Sequence, residues 1–301
     1  LNLNKLKILE KGINMDIQEK LDNGRFIVLA EIVPPKGTDT SEIVENAVKI
    51  KDNIDAFVIS DMTNAIMQMS SLACAGIFQS KGMETIMQIC CRDRNRIALQ
   101  ADLLGACGWG IKNIMAVTGQ NLELGDHHQA KPVDDLSLLE LLEVIKTLQN
   151  GRDMADIEIN GTPSFFTGSN LAAAGHDIDA EINDMKKKID AGAEFFITSP
   201  VFDPADAMPF LENADKEKCR IIPTVLLFKS LGMARYMARN VPGINIPQEL
   251  IKRLQKSKDK SGECIKIASE ILGSFKQNGF DGVLVSTIGQ NDLIPDIIKE
   301  T

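Results

Sequence analysis

The chain of 301 residues contains no run approaching eighteen consecutive apolar residues, so no transmembrane helix is expected. Its start lacks a secretory pattern: Leu1 to Asn14 mixes Lys and Leu without a long apolar core. Positive charge is not in excess. The net charge is −9 and the sequence pI about 5.0, which argues against a nucleic-acid or anionic-membrane surface. A local basic pocket for phosphate is still compatible with that balance. Together these absences predict a soluble, cytoplasmic protein. The six cysteines (Cys74, Cys90, Cys91, Cys107, Cys219, Cys264) show no Cys-x-x-Cys spacing. They read as buried free thiols in a reducing compartment rather than as metal ligands. Adjacent Cys90 and Cys91 would point to opposite faces of a strand, which argues against a functional disulfide. No glycine-rich dinucleotide fingerprint follows an early strand. His127 and His128 are adjacent, a spacing ill-suited to one ion, and no third ligand is evident. The pair reads as solvent-exposed, or as lying near phosphates or a carrier tail, and no metal is expected.

What is present is ordinary globular composition, 44% hydrophobic and 25% charged, enough for one large core or two smaller ones. Short apolar runs alternate with helical spacing eight times. The strands read as Phe26–Val33, Asp55–Ser60, Thr85–Cys91, Asn113–Thr118, a fifth ending at Phe165–Gly168, Glu194–Thr198, Arg220–Leu227 and Gly282–Val285. Their apolar character on both faces is that of parallel strands. Eight such units predict a (β/α)8 TIM barrel as a single domain over 21–301, after an N-terminal extension over 1–20. A doubly wound open sheet is the alternative, weakened by the missing fingerprint.

The first strand carries the strongest local signal. Five apolar residues lead to Glu31, two more follow, and Pro34-Pro35 stop the ladder. A carboxylate there is costly unless it is paired with a buried cation or used as an acid or base. Polar residues follow other strands too: Ser60-Asp61, Gln88 with Arg92-Asp93, Thr118-Gly119-Gln120, Gly168, Ser199 and Lys229-Ser230. In a barrel these gather at the C-terminal face, where active sites lie.

From Phe26 onward the chain resembles the methylenetetrahydrofolate reductase family. The resemblance rests on Ala30–Gly37, Met69-Ser70-Ser71, the loop Gly125–Val133, Lys188–Ala193 and Val241–Pro247. Cys91–Arg96 is similar to the form found in anaerobic, acetogen-type members. The resemblance implies the same barrel and the reduction of methylene-tetrahydrofolate to methyl-tetrahydrofolate. A bound flavin (FAD slightly favoured, FMN the alternative) generally carries hydride there from NAD(P)H or another reduced donor. Glu31 falls on the general acid, which opens the bridged pterin to an iminium. Burial disfavours the charged form of a carboxyl, so a strand-end acid can keep a proton for this task. Ser60, Gln88, Thr118, Gly119, Gln120, Pro132, Val133 and Gly168 fall on cofactor-side positions, with the isoalloxazine over Thr118-Gly119-Gln120. Lys188 falls on a lysine near the flavin phosphate, or is a surface lysine of its helix. Gln120, Ser199 and Leu231 fall on the substrate side, Leu231 being equally readable as core.

Three positions depart from the family pattern. Gly119-Gln120 replaces the usual Gly-Asp, Thr198-Ser199 replaces Thr-Gln, and Ser169–Ala174 replaces a His-Pro or Asn-Pro turn. They leave three readings open. The carrier could be tetrahydromethanopterin instead of tetrahydrofolate. The flavin could be changed or weakly bound, or hydride could pass directly from another donor with no flavin. The chain could be a non-catalytic pterin- or flavin-binding subunit. The resemblance further implies a homo-oligomer or a complex with a companion electron-transfer subunit.

Overall fold

The structure, a computed structural model, describes residues 15–173, 177–241 and 243–299. Eight parallel strands close on one another in sequence order: β1 (Ile27–Ile32), β2 (Ala56–Ile59), β3 (Thr85–Cys90), β4 (Asn113–Val117), β5 (Phe166–Leu171), β6 (Phe195–Pro200), β7 (Arg220–Leu226) and β8 (Gly282–Ser286). β8 pairs back onto β1, so the expected (β/α)8 barrel is the observed fold. Three strands run past their expected ends. β5 continues past Gly168 to Leu171, β6 runs on to Pro200 after a register break beyond Ile197, and β8 takes in Ser286. Polar residues at the barrel mouth keep their ladder bonds, and the buried hydroxyls among them find partners, Ser169 in the Ala116 carbonyl and Ser286 in Glu31. Polarity therefore does not mark the strand end there.

Alternate side chains of each strand enter the barrel. Ile27 and Leu29 of β1, Ala56 and Val58 of β2, Met115 and Val117 of β4, and Phe195 and Ile197 of β6 share one inner apolar cluster. Ile17 and Leu21 close it from below. They belong to the helix Ile17–Asp22, started by an Asp16–Glu19 capping box. Of the segment assigned to an extension, 1–14 lie outside the described residues, while 16–20 form part of this floor. The outward faces of the strands pack against the helices in a second, larger cluster. Cys90 belongs to the inner cluster and Cys91 to the outer one, as opposite strand faces require. All six cysteines are free; only Cys107 is exposed. Burial pushes the Cys90 thiol up to about 12.

At the foot of the barrel, a side chain ties each even-numbered strand to the odd strand before it. Asp55 Oδ2 accepts the Val28 N–H at 2.8 Å, and Asn113 Nδ2 donates to the Thr85 carbonyl at 3.1 Å. Glu194 Oε2 accepts the Thr167 N–H at 3.1 Å, and Asp281 Oδ2 accepts the Ile221 N–H at 2.9 Å. Each stitch satisfies a backbone group near the start of the ladder. Burial raises the pKa of Glu194 and Asp281, and of Glu84, which accepts from Asn113 and from the Ile17 N–H. No described helix is long and apolar enough to cross a membrane.

Candidate functional site

The period of two that fills the barrel also builds its mouth. Two residues beyond the last inward apolar side chain stands the group that faces the opening: Glu31 above Leu29, Ser60 above Val58, Gln88 above Ile86, and Ser286 above Leu284. A cavity of about 430 Å³ opens there, floored by Met115, Val117, Ile197 and Leu284. A larger recess of about 690 Å³ lies at the foot of the barrel. Among its charges Lys20 pairs with Asp55 and Lys112 with Asp16, each at 3.0 Å. That end of the fold serves stability, so the mouth cavity is the candidate site.

Glu31 is half-buried rather than buried, and its carboxylate is held by hydroxyls instead of by a cation. Ser286 Oγ donates to Oε2 at 2.5 Å and Ser60 Oγ to Oε1 at 3.4 Å. The Glu31 carbonyl accepts from Asn291 Nδ2 at 3.1 Å, and Asn291 in turn bonds Thr287. The side chain is thus fixed from β8 and the backbone from the loop that follows it, the part of the barrel most distant in sequence. Across the cavity stands Gln88, whose Nε2 meets Met115 Sδ at 3.7 Å and whose buried Oε1 has no partner.

The turn after β4 is aimed by Arg92. Its guanidinium donates to the Gln120 carbonyl at 2.5 Å, to the Met62 carbonyl at 3.0 Å, and to both oxygens of Asp93 at 2.7 Å. Gly119 passes over this guanidinium with φ +81°, and a Cβ there would stand 2.7 Å from Nη1. The Gln120 N–H donates to the Thr63 carbonyl at 2.8 Å. Three loops are therefore locked through one cation. Beneath them Asp61, fully buried, accepts the Cys90 N–H at 2.8 Å and pairs with Arg94. Asp126 does not fill the place of the missing carboxylate at 120. It clasps Lys36, the Met67 N–H and His127 on the rim, and the Lys36 and His127 contacts hold its carboxyl well below the usual range.

The structure brings Glu31, Gln88, Thr118, Gly119, Gln120 and Ser199 to one cavity, with Ser60 in contact with Glu31. The other residues expected at the site lie elsewhere. Gly168 sits one layer down inside the barrel, where a Cβ would overlap the Phe195 ring. Pro132 and Val133 are exposed on the rim, outside the cavity lining; the Val133 N–H bonds the Arg92 carbonyl at 2.8 Å. Leu231 opens the helix Leu231–Asn240 and packs against the outer core. Lys188 is neither at the surface nor free. Its side chain is 6% exposed, its Nζ lies 2.6 Å from Asp184 Oδ2 and donates to the Asn170 carbonyl at 2.8 Å. Ser199 Oγ accepts the Ala173 N–H at 3.1 Å, tying down the chain that leaves β5. Sequence reasoning missed Ser286, Asn291, Asn170 and Thr224. Counting in twos along β5, β7 and β8 finds three of them; Asn291 acts from a loop and leaves no such signal.

The sequence model of the family described as methylenetetrahydrofolate reductase matches residues 16–301. A Schizosaccharomyces pombe protein named methylenetetrahydrofolate reductase 2 is 24% identical over 262 residues, covering 84% of this chain and 40% of its own length. The 5,10-methylenetetrahydrofolate reductase of Buchnera aphidicola subsp. Acyrthosiphon pisum is 28% identical over 152 residues, covering 50% and 47%. The chain thus spans less than half the length of these curated relatives. Among solved structures, an uncharacterized Clostridium thermocellum protein, described as binding two copies of 5-methyl-5,6,7,8-tetrahydrofolic acid, is similar with a TM-score of 0.63 and 18% identity, covering 93% of this chain and 98% of its own. EDTA monooxygenase from Chelativorans sp. BNC1 gives 0.56 and 11%, covering 91% and 93%. At such identities these two likenesses concern the fold alone.

Proposed function

The chain belongs to the methylenetetrahydrofolate reductase family, and on that premise we propose that its mouth cavity binds a pterin bearing a methylene unit and reduces that unit to methyl. The observation that carries this reading is Glu31. Among the described residues it is the one ionisable side chain lining the cavity, clasped by two serine hydroxyls. A methylene group bridging two nitrogens is a poor hydride acceptor. Protonation of one nitrogen lets its C–N bond break, and the carbon becomes an iminium that accepts hydride. Glu31 supplies that proton and is reprotonated from solvent. One hydride and one proton are added in total. A hydroxyl both donates and accepts, so Ser60 and Ser286 can hold the carboxyl in either protonation state. The apolar floor of Met115, Val117 and Leu284 keeps water from the iminium, which would otherwise hydrolyse.

The carrier is a tetrahydrofolate or a tetrahydromethanopterin. The family model and the curated relatives are named for a tetrahydrofolate, which supports the former. The family generally uses a flavin and a reduced nicotinamide donor. On the ring side of the expected flavin, Gln88 and the turn Thr118–Gln120 line the cavity. The phosphate side does not fit, because Lys188 is buried in its pair with Asp184. The test is Glu31→Gln, assayed with both carriers. Reduction should fall by roughly 10²–10⁴, the usual effect of losing a general acid. Binding of 5-methyl-tetrahydrofolate should change less than tenfold. A folded variant that reduces substrate at the parent rate would remove Glu31 from the mechanism.

A further inference from the structure

Apart from Glu31 the cavity lining is uncharged. Its polar side chains are carboxamides and hydroxyls, among them Asn64, Gln88, Gln120 and Asn170, and no Lys, Arg or His among the described residues lines it. Such a lining suits neutral rings with amide-like edges. A resident flavin nucleotide brings phosphate as well, which at neutral pH carries at least one negative charge and is held by cations or by helix N-termini. Both devices are already occupied beside β5. Lys188, the cation expected there, is bonded to Asp184 one turn back on its own helix and to the Asn170 carbonyl above it. The N-terminus of that helix, Ile178–Asp190, is filled by its own acid: the Asp177 side chain accepts the Asp179 and Ala180 N–H groups, and Asp179 and Glu181 follow in the first turn. Among the described residues, a phosphate approaching this corner meets carboxylates and a neutralised lysine.

Resting on the function proposed above, we infer that this cavity works without a resident flavin nucleotide, hydride passing directly from a reduced nicotinamide dinucleotide to the C1 carbon. The step balances. The C4–H bond of the dihydropyridine breaks with both electrons, and a C–H bond forms at the iminium carbon. The nicotinamide leaves as the oxidised pyridinium, and the proton for the departing nitrogen comes from Glu31. The dinucleotide's own phosphates raise no conflict. A substrate that leaves every turnover needs only micromolar to millimolar affinity, and its charged part can stay in water outside the mouth. A resident cofactor needs its phosphate held.

Two measurements on the full chain test this. In the first, methylene-tetrahydrofolate is reduced in ordinary water with nicotinamide deuterated at C4, each face in turn, and the methyl product is weighed by mass spectrometry. Direct transfer puts one deuterium into the methyl group from one of the two labelled donors. A product free of deuterium from both, as follows when hydride rests on an exchanging flavin N–H, overturns the inference, and so does reduction only after flavin is added. In the second, calorimetry compares 5-methyl-tetrahydrofolate, FMN and FAD. The folate should bind at least tenfold more tightly than either flavin. Asp184→Asn, a change on a half-exposed helix position, should release Lys188 and tighten FMN about tenfold while leaving the folate unchanged. Tight flavin binding that ignores Asp184→Asn sinks this inference alone. Failure to bind the folate sinks the functional reading beneath it.

Discussion

At the scale of single residues, the site depends on absences of side chain as much as on presences. Gly168 leaves room inside β5 for the Phe195 ring, which packs tilted by 33° against Phe166 with centroids 4.8 Å apart and supports the cavity floor. Gly168→Ala should destabilise the protein by about 1–3 kcal/mol, the usual cost of overpacking a filled core. Phe195→Leu in the same chain should recover part of that loss. Urea denaturation of the two single variants and the double variant checks the coupling, and strictly additive losses would show that the ring and the glycine do not meet. Glu31 illustrates a different dependence. Its serine partners lie 29 and 255 residues away in sequence, so its environment comes from closing the barrel.

At the scale of elements, the rim loops are docked by close approach. Gly125 lies against the backbone of Ala65, where a Cβ would overlap the Ala65 carbonyl, and Asp126 beside it holds Lys36 and the Met67 N–H. Gly125→Ala should undock the stretch 121–134 without unfolding the barrel. Limited proteolysis within 121–134 should quicken while the thermal midpoint stays within a few degrees. Unchanged proteolysis would mean that the loop is held elsewhere. The elements also show what could be read in advance. Eight strands and their order followed from apolar runs, and the mouth residues on β1 to β4 followed from strand ends. Beyond β4 the reading slipped, because Ser169, Asn170, Ser199 and Ser286 are polar yet belong to strands. The burial of Lys188 is hidden in the sequence for a related reason. A lysine within Lys186-Lys187-Lys188 looks solvated, and only the packing of its helix under β5 buries it.

At the scale of the whole molecule, the half-buried carboxylates at the barrel foot give stability a pH dependence. Burial raises Glu194 and Asp281 in the folded state. Between the ordinary carboxylate range of about 4 and the raised values, the native state holds more protons than the unfolded one. Stability therefore falls as pH rises through that window. Glu194→Gln and Asp281→Asn keep an acceptor for the Thr167 and Ile221 N–H groups but cannot ionise. Relative to the parent, their unfolding free energy should improve from pH 4.5 to 7.5, and parallel curves would refute the assignment. The stitches also sort the barrel into strand doublets: β1 with β2, β3 with β4, β5 with β6, β7 with β8. Every one of these ties lies within a doublet. A backbone cut in the connection 150–165, after β4, thus parts the molecule into two halves with all their stitches intact, whereas a cut at Gly192 severs the Glu194–Thr167 tie. The halves from the first cut carry their own partly ordered strand pairs and should reassemble on mixing, so the barrel is divisible at its middle in a way its continuous sheet conceals.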